Sequence, residues 1–496
     1  MIKRVLIANR GEIALRVIRA CRELGVESVA VYSDADVRAP HVAAADKSIH
    51  IGAAPAADSY LSIERLMAAV EQSGADAVHP GYGFLSENAA FAAACEKAGI
   101  VFVGPPSGVL AQMGSKIAAR RVMDIAGVQV VPGLTPADQT DAGIQAAVEK
   151  IGLPALVKAS AGGGGKGMRR IDEPADILAA IQSARREAEA AFGDGTLYVE
   201  RVIARPHHVE VQIFADNHDH VVHLLERECS VQRRHQKIIE ETPSPLVNPR
   251  LRTRMTDAAV RAARASGYRN AGTVEFLVDL SGGRGAERFF FLEMNTRLQV
   301  EHGVTEQVTG LDLVRAQLLV ASNEPLPWAS PAITQRGHAI EARVYAEDPA
   351  QGFLPQAGRI LLYREPRMPG IRVDSGVVEG SDVSVHYDPL LAKVIATSAT
   401  RDEAIVRLAC ALREFPILGI PTNVEFLLRI LEHPRFLAGD IDTGFLDEDG
   451  ASLAAAPAGE TPGHVRAAVA AHESESPAAG GESDHDPWQS VREWRG

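Results

Sequence analysis

Apolar positions along the chain come in blocks whose period switches between that of a strand and that of a helix. Residues 3–8 form a short apolar run that is broken by Asn9-Arg10-Gly11-Glu12. Ile13, Val17, Ile18 and Cys21 then recur at helical spacing until Gly25. Further apolar runs at 28–32, 77–78 and 100–103 continue the alternation, which predicts an α/β domain with a parallel sheet over residues 1 to about 110. No GxGxxG follows the first strand, so a dinucleotide site is not expected there. HPGYGFLSEN, residues 79–88, reads as a glycine-shaped turn entering a helix at Ser86–Glu87; a structural loop explains it as well as a catalytic one.

A connector near 130 leads to a second, smaller α/β pattern over residues 131 to about 203. Its strand at 154–159 carries Lys158, and Gly162 to Gly165 with Lys166-Gly167 lead back to a strand at 168–171. Consecutive glycines expose backbone N–H groups and let a loop lie against polyphosphate, while Lys158 and Lys166 add positive charge. The loop is not a Walker motif, because Met168 stands where Ser or Thr belongs. Such a lid, with few side chains to pack, is suited to closing over a nucleotide. Lys116 follows Met113-Gly114-Ser115 at the start of a helix over 117–126, a place where a lone Lys is ordinarily solvated. In the strand at 198–203, Glu200 is a candidate acceptor for an adenine amino group or a ribose.

The segments 207–212 and 221–225 predict a hairpin, followed by the basic run 227–237, which contains Arg227, Arg233, Arg234, His235 and Lys237. Strand-like segments on both sides favour an anion site over a solvated loop. AGTVEFLV, 271–278, is an apolar strand with one charge, Glu275. FFFLEMNTRLQVEHGVTE, 289–306, then begins as a buried strand and changes to alternation. If it stays extended, Glu293, Asn295, Arg297, Gln299 and Glu301 lie on one face, about 7 Å apart. A divalent metal near the first carboxylate and an anion near the Arg would neutralise that face. Glu275 and Glu293 can face each other across a hairpin, and with Asn295 they form the small oxygen set that Mg²⁺ prefers when nucleotide phosphates supply the rest.

Composition narrows the class. The 496 residues, 46% hydrophobic and 23% charged, suit a soluble protein of several domains, and a net charge of −13 argues against a nucleic-acid binder or a protein of anionic membranes. An anionic substrate must therefore be held by local basic groups. Cys21, Cys95, Cys229 and Cys410 are scattered, without CxxC or zinc spacing, and read as reduced thiols; with no signal peptide or apolar span, a cytoplasmic location is expected. Strands are predicted at 338–345, 371–374 and 393–396, and helices at 402–414 and 423–432. From 451 onward Ala, Pro, Gly, Glu and Ser without periodicity predict a disordered tail.

Assembled in order, IANRGEIALR, HPGYGFLSEN, the KAS-Gly-rich loop, QRRHQK, EMNTRLQVEH, GHAIEAR, YDPLLAKVI and GIPTNVEFL make the chain resemble the biotin carboxylase family of the ATP-grasp superfamily over roughly residues 1–447. The resemblance implies an α/β ATP-grasp fold: an N-terminal parallel-sheet domain (1–115), a mobile lid (131–203), an ATP-grasp core (204–330), a mixed α+β C-terminal domain (331–447) and the tail (451–496). It implies ATP contacts from Lys116, Lys158, Gly164, Gly165, Glu200, Arg201, Ile203, His208, Gln232 and His235. Glu275, Glu293 and Asn295 would hold Mg²⁺ or Mn²⁺. Lys237, Arg297, Gln299 and Val300 would bind bicarbonate, Glu301 would act as the base, and Arg343 would stabilise the biotin enolate.

No AMKM-like biotinylation motif is present, so biotin is expected on a separate carrier protein, with carboxyltransferase subunits as further partners and a homodimer as the assembly the family suggests. A different carboxylate–amine ligase of the same fold is the competing reading; a non-catalytic scaffold predicts decay of the metal and base positions, all of which are present. One departure is Gly303, where the family has Pro, which predicts a looser loop beside the base.

Overall fold

The computed structural model describes residues 1–160, 167–283, 286–328, 333–455 and 470. Residues 1–454 form one compact unit, and 455–496 are assigned to a second. The glycine loop with Gly164 and Gly165, and nearly all of the expected tail, lie outside the described residues.

The N-terminal region is a five-stranded parallel sheet with spatial order Lys47–Gly52, Glu27–Ser33, Arg4–Ile7, Ala77–His79, Val101–Phe102. Its first helix, Gly11–Leu24, buries Ile13, Val17, Ile18 and Cys21 and stops at Gly25, whose φ of 68° is a left-handed conformation open to glycine at no steric cost. The 131–203 region contains a four-stranded antiparallel sheet, Gly133–Leu134, Leu197–Arg201, Ala155–Ala159 and Met168–Ile171, packed on helices Asp141–Ile151 and Ile177–Phe192.

The largest sheet has eight antiparallel strands: Arg288–Asn295, Asn270–Asp279, His207–Ala215, Val221–Arg233, Gln236–Thr242, His338–Tyr345, Leu390–Ser398 and Ile371–Ser375. Strands from the expected core and from the expected C-terminal domain share this sheet, Ile239 pairing with Ala342. Helices Arg401–Arg413 and Val424–Glu432 close one apolar core against its C-terminal strands. No helix among the described residues is long and apolar enough to cross a membrane. The four cysteines are unpaired; all but Cys410 are buried.

Three local expectations are corrected. The strand expected over 289–306 ends at Asn295; 296–301 form an irregular turn and His302–Thr309 is a helix. The cause lies far away in sequence: Glu87 Oε1 accepts the backbone N–H of Thr296 at 3.0 Å and its hydroxyl at 3.2 Å, taking the donor that another ladder rung would need. Glu87 is free to do so because its helix starts at Ala89, capped by Asn88, and not at Ser86. The basic run continues the strand as far as Arg233, and only Arg234 and His235, with φ of 49° and 66°, make the turn.

Gly303 is likewise not part of a loose loop. It is buried in the first turn of the helix His302–Thr309, where a Cβ would collide with Ile395 Cδ1. Gly303→Ala should therefore lose about 1 kcal/mol net, overpacking outweighing the gain in helix propensity. Ile395→Val, which deletes the opposing methyl, should make the pair of substitutions less damaging than their sum; a denaturant double-mutant cycle measures the coupling.

Burial also sets a pH dependence away from the site. Desolvation pushes Glu228 up to about 7, against the Ser230 and Ser244 hydroxyls that it accepts. Its contribution to stability is present in full below the ordinary glutamate value of about 4.3 and is lost as pH rises through about 7. Glu228→Gln should flatten the fall in Tm between about pH 4.3 and pH 7, the interval in which only the folded state keeps the proton.

Candidate active site

One ammonium organises the site. Lys237 Nζ donates to Glu210 Oε2 at 2.5 Å, Glu275 Oε1 at 2.9 Å and Glu301 Oε1 at 2.6 Å, so its three protons meet three buried carboxylates. Beneath it, fully buried Arg227 spends its guanidinium on Glu210 at 2.5 Å, Gln212 at 2.8 Å, Thr305 at 3.0 Å, Gln299 at 3.0 Å and Thr273 at 3.2 Å. The described trios of His, Cys, Asp or Glu side chains close enough to share one ion, His208–Glu210–Glu275 and Glu210–Cys229–Glu301, both involve carboxylates that Lys237 already pairs.

The expected metal set is partly assembled. Glu275 and Glu293 are register partners on adjacent strands. Glu275 Oε1 also accepts Asn295 Nδ2 at 2.7 Å and Gln299 Nε2 at 2.9 Å, and His208 Nε2 lies 2.9 Å from Oε2, out of line for a hydrogen bond. Desolvation would raise Glu275, but Lys237 and His208 hold it well below the carboxylate range. Glu293 goes the other way: burial and then the Glu275 charge push it up, and Lys116 at 3.9 Å only partly offsets them. A divalent cation between two hard carboxylates would relieve that strain, so Glu275 and Glu293 fit Mg²⁺. Asn295 does not present its oxygen, which accepts Arg297 Nη2 at 3.1 Å; its amide nitrogen instead orients Glu275.

On the lid side, Lys158 and Glu200 are paired at 2.9 Å, and Arg120, a residue not singled out in the sequence, joins the same carboxylate. Burial would lower Lys158, yet Glu200 and Tyr198 keep it raised, while burial does lower Lys116. Arg201 is exposed, Ile203 and Gln232 are half-buried, and His235 is exposed at the hairpin tip. None of these four joins the Lys237 cluster.

On the anion side, Arg297 Nε meets Glu87 Oε2 at 3.1 Å, and the Val300 carbonyl accepts Lys393 Nζ at 2.6 Å. Arg343 Nε donates to Glu240 Oε1 at 2.6 Å and Nη2 to Glu301 Oε2 at 3.0 Å. Desolvation would raise Glu301; Lys237, then Arg343 and Arg227, outweigh it and hold the carboxyl far below its ordinary range. Glu87 carried no signal beyond a charge at a helix entrance. Lys393 did carry one, a single charge in the apolar run LLAKVIA, the same signal that identified Glu275.

Comparisons with known proteins identify the family to which the chain is similar. Three family models match: "Biotin carboxylase, N-terminal domain" over residues 1–110, "Carbamoyl-phosphate synthase L chain, ATP binding domain" over 115–329, and "Biotin carboxylase C-terminal domain" over 341–448. The chain is 51% identical over 448 residues to a biotin carboxylase of Halalkalibacterium halodurans, covering 90% of this chain and 97% of that one. It is 48% identical over 453 residues to the mitochondrial methylcrotonoyl-CoA carboxylase subunit alpha of Arabidopsis thaliana, covering 91% of this chain but only 61% of that relative. Among solved structures, the biotin carboxylase domain dimer of Hydrogenobacter thermophilus 2-oxoglutarate carboxylase, in complex with MgADP, ADP and bicarbonate, superposes with a TM-score of 0.88 at 41% identity, over 92% of this chain and all of that one.

Proposed function

This chain belongs to the biotin carboxylase family, and from that premise we propose how its residues divide the ATP-dependent carboxylation of biotin by bicarbonate. Lys116 and Lys158 hold phosphate oxygens of ATP, with Glu200, Arg201, Ile203, His208, Gln232 and His235 around the nucleotide. Mg²⁺ held by Glu275 and Glu293 would supply neutralisation of the charge on those oxygens. Lys237 and Arg297 bind bicarbonate, assisted by Gln299 and the Val300 backbone.

Glu301 takes the bicarbonate proton. Between Lys237 and Arg343 it is a weak base; an anion that shares those cations returns basicity to it. The bicarbonate oxygen attacks the γ-phosphorus, ADP leaves, and carboxyphosphate forms. Carboxyphosphate releases CO₂ and phosphate, phosphate removes the ureido proton of biotin, and the enolate attacks CO₂ while Arg343 balances its charge.

One observation carries this reading: the two oxygens of Glu301 are divided between the bicarbonate-side cation and the biotin-side cation. Biotin is assigned to a carrier and the final acceptor to a carboxyltransferase partner, since relatives of similar identity bear the names of different carboxylases. A homodimer is supported by the dimeric relative. The purified chain should release ADP from ATP only with bicarbonate present, faster with free biotin; turnover indifferent to both sinks the assignment in favour of another ligase.

A further inference from the structure

Behind the Glu301–Arg343 pair lie two carboxylates short of counter-charge. Glu240 and Glu341 are register partners on the antiparallel strands Gln236–Thr242 and His338–Tyr345, so both side chains leave the same face of the sheet. Both are fully buried. Glu240 Oε1 accepts Arg343, but its Oε2 and both oxygens of Glu341 have no hydrogen-bond partner among the described residues.

The charged and titratable groups facing Glu341 are committed elsewhere. Arg343, on its own strand, serves Glu240 and Glu301. Lys393, from Leu390–Ser398, donates to the Val300 carbonyl and lies 3.3 Å from Glu12 and 3.6 Å from Asp374. Tyr82 gives its hydroxyl to Glu12. Glu301 is a further anion. A Cβ at Gly303 would stand 3.3 Å from Glu341 Oε2, so the carboxyl lies against the helix that follows the base and not against solvent. An ionised Glu341 would be a desolvated anion beside a second one, an arrangement that proteins relieve by retaining a proton.

We propose that Glu341 is protonated at neutral pH and donates its O–H to Glu240, and that this hydrogen bond fixes Glu240 as the carboxylate that orients Arg343. Glu341 is then a positioning residue for the biotin-side guanidinium, and the inference rests on the role given to Arg343 above. Its electrostatics agree: burial, only partly countered by Lys393, pushes Glu341 well above the carboxylate range, and burial raises Glu240 to about 7 against Arg343.

Infrared difference spectra of the whole protein provide the direct test. The carbonyl stretch of a protonated carboxyl should be present at pH 7, shift in D₂O and lose one carboxyl's intensity in Glu341→Gln, the Glu228 and Glu240 contributions remaining. Kinetically, Glu341→Leu should lower kcat for biotin carboxylation about tenfold with a smaller effect on bicarbonate-dependent ATPase. Glu341→Gln, which keeps a donor and cannot ionise, should restore most of that loss and carry the alkaline limb of the profile to higher pH. An infrared band unaltered in Glu341→Gln, or an alkaline limb that coincides with wild type, overturns the proposal. Should the Leu variant not fold, the band and the Gln profile still decide. A failure of the Arg343 assignment leaves the infrared band in place, so the two failures are told apart.

Discussion

Glu301→Gln should bind ATP as the parent does and lose bicarbonate-dependent ADP release by about 10²–10⁴-fold, the range for removing a positioned general base. The substitution is nearly isosteric, so the turn at 296–301 and the helix His302–Thr309 should persist. What changes is charge. Both Glu301 oxygens accept from cations, Lys237 at 2.6 Å and Arg343 at 3.0 Å, and an amide can satisfy only one of them. Its NH₂ must then point at a positive group, which adds some loss of order around Lys237 to the loss of the base. Nucleotide affinity separates these effects: Lys116 lies by Glu293 and Lys158 pairs with Glu200, so ATP affinity should be unchanged when measured by calorimetry. Turnover at the parental rate would remove Glu301 from the chemistry.

The sequence exposed the chemistry of this site better than its geometry. Alternation in a strand would align Glu293, Asn295, Arg297, Gln299 and Glu301 on one face. They do converge, but through a turn after Asn295, and the strand stops because Glu87 captures the Thr296 backbone. That contact joins residues 209 apart in sequence, and no local period reports it. The pairing of Glu275 with Glu293 was legible, because a short hairpin makes register a local matter. Single charges in apolar runs were the most dependable signal: Lys158 and Glu275 both occupy buried ion pairs. The same rule picks out Lys393, the lone charge of LLAKVIA, which donates to the Val300 carbonyl beside the base. Lys237 meets carboxylates from three other segments, an arrangement set by sheet order and invisible in composition.

Arg343→Ala should separate the two half-steps of the reaction. Arg343 touches Glu301 by one nitrogen and is otherwise held by Glu240, so its loss leaves Lys237, Arg297 and Glu301 in place for bicarbonate. Bicarbonate-dependent ATPase should then fall only a few-fold, and even that small change has two opposing parts: Glu301 regains basicity when a neighbouring cation is removed, but loses orientation. Carboxylation of biotin depends on a positive group where the enolate charge develops, and losing such a group costs about 10²–10³-fold. Arg343→Lys should recover only part of this, because a point charge cannot bridge Glu240 and Glu301 as the planar guanidinium does. The ratio of carboxybiotin formed to ADP released is therefore the decisive measurement. A ratio equal to that of the parent, with both rates reduced together, would show that Arg343 acts on the carboxyphosphate step through Glu301 and has no separate part in receiving biotin.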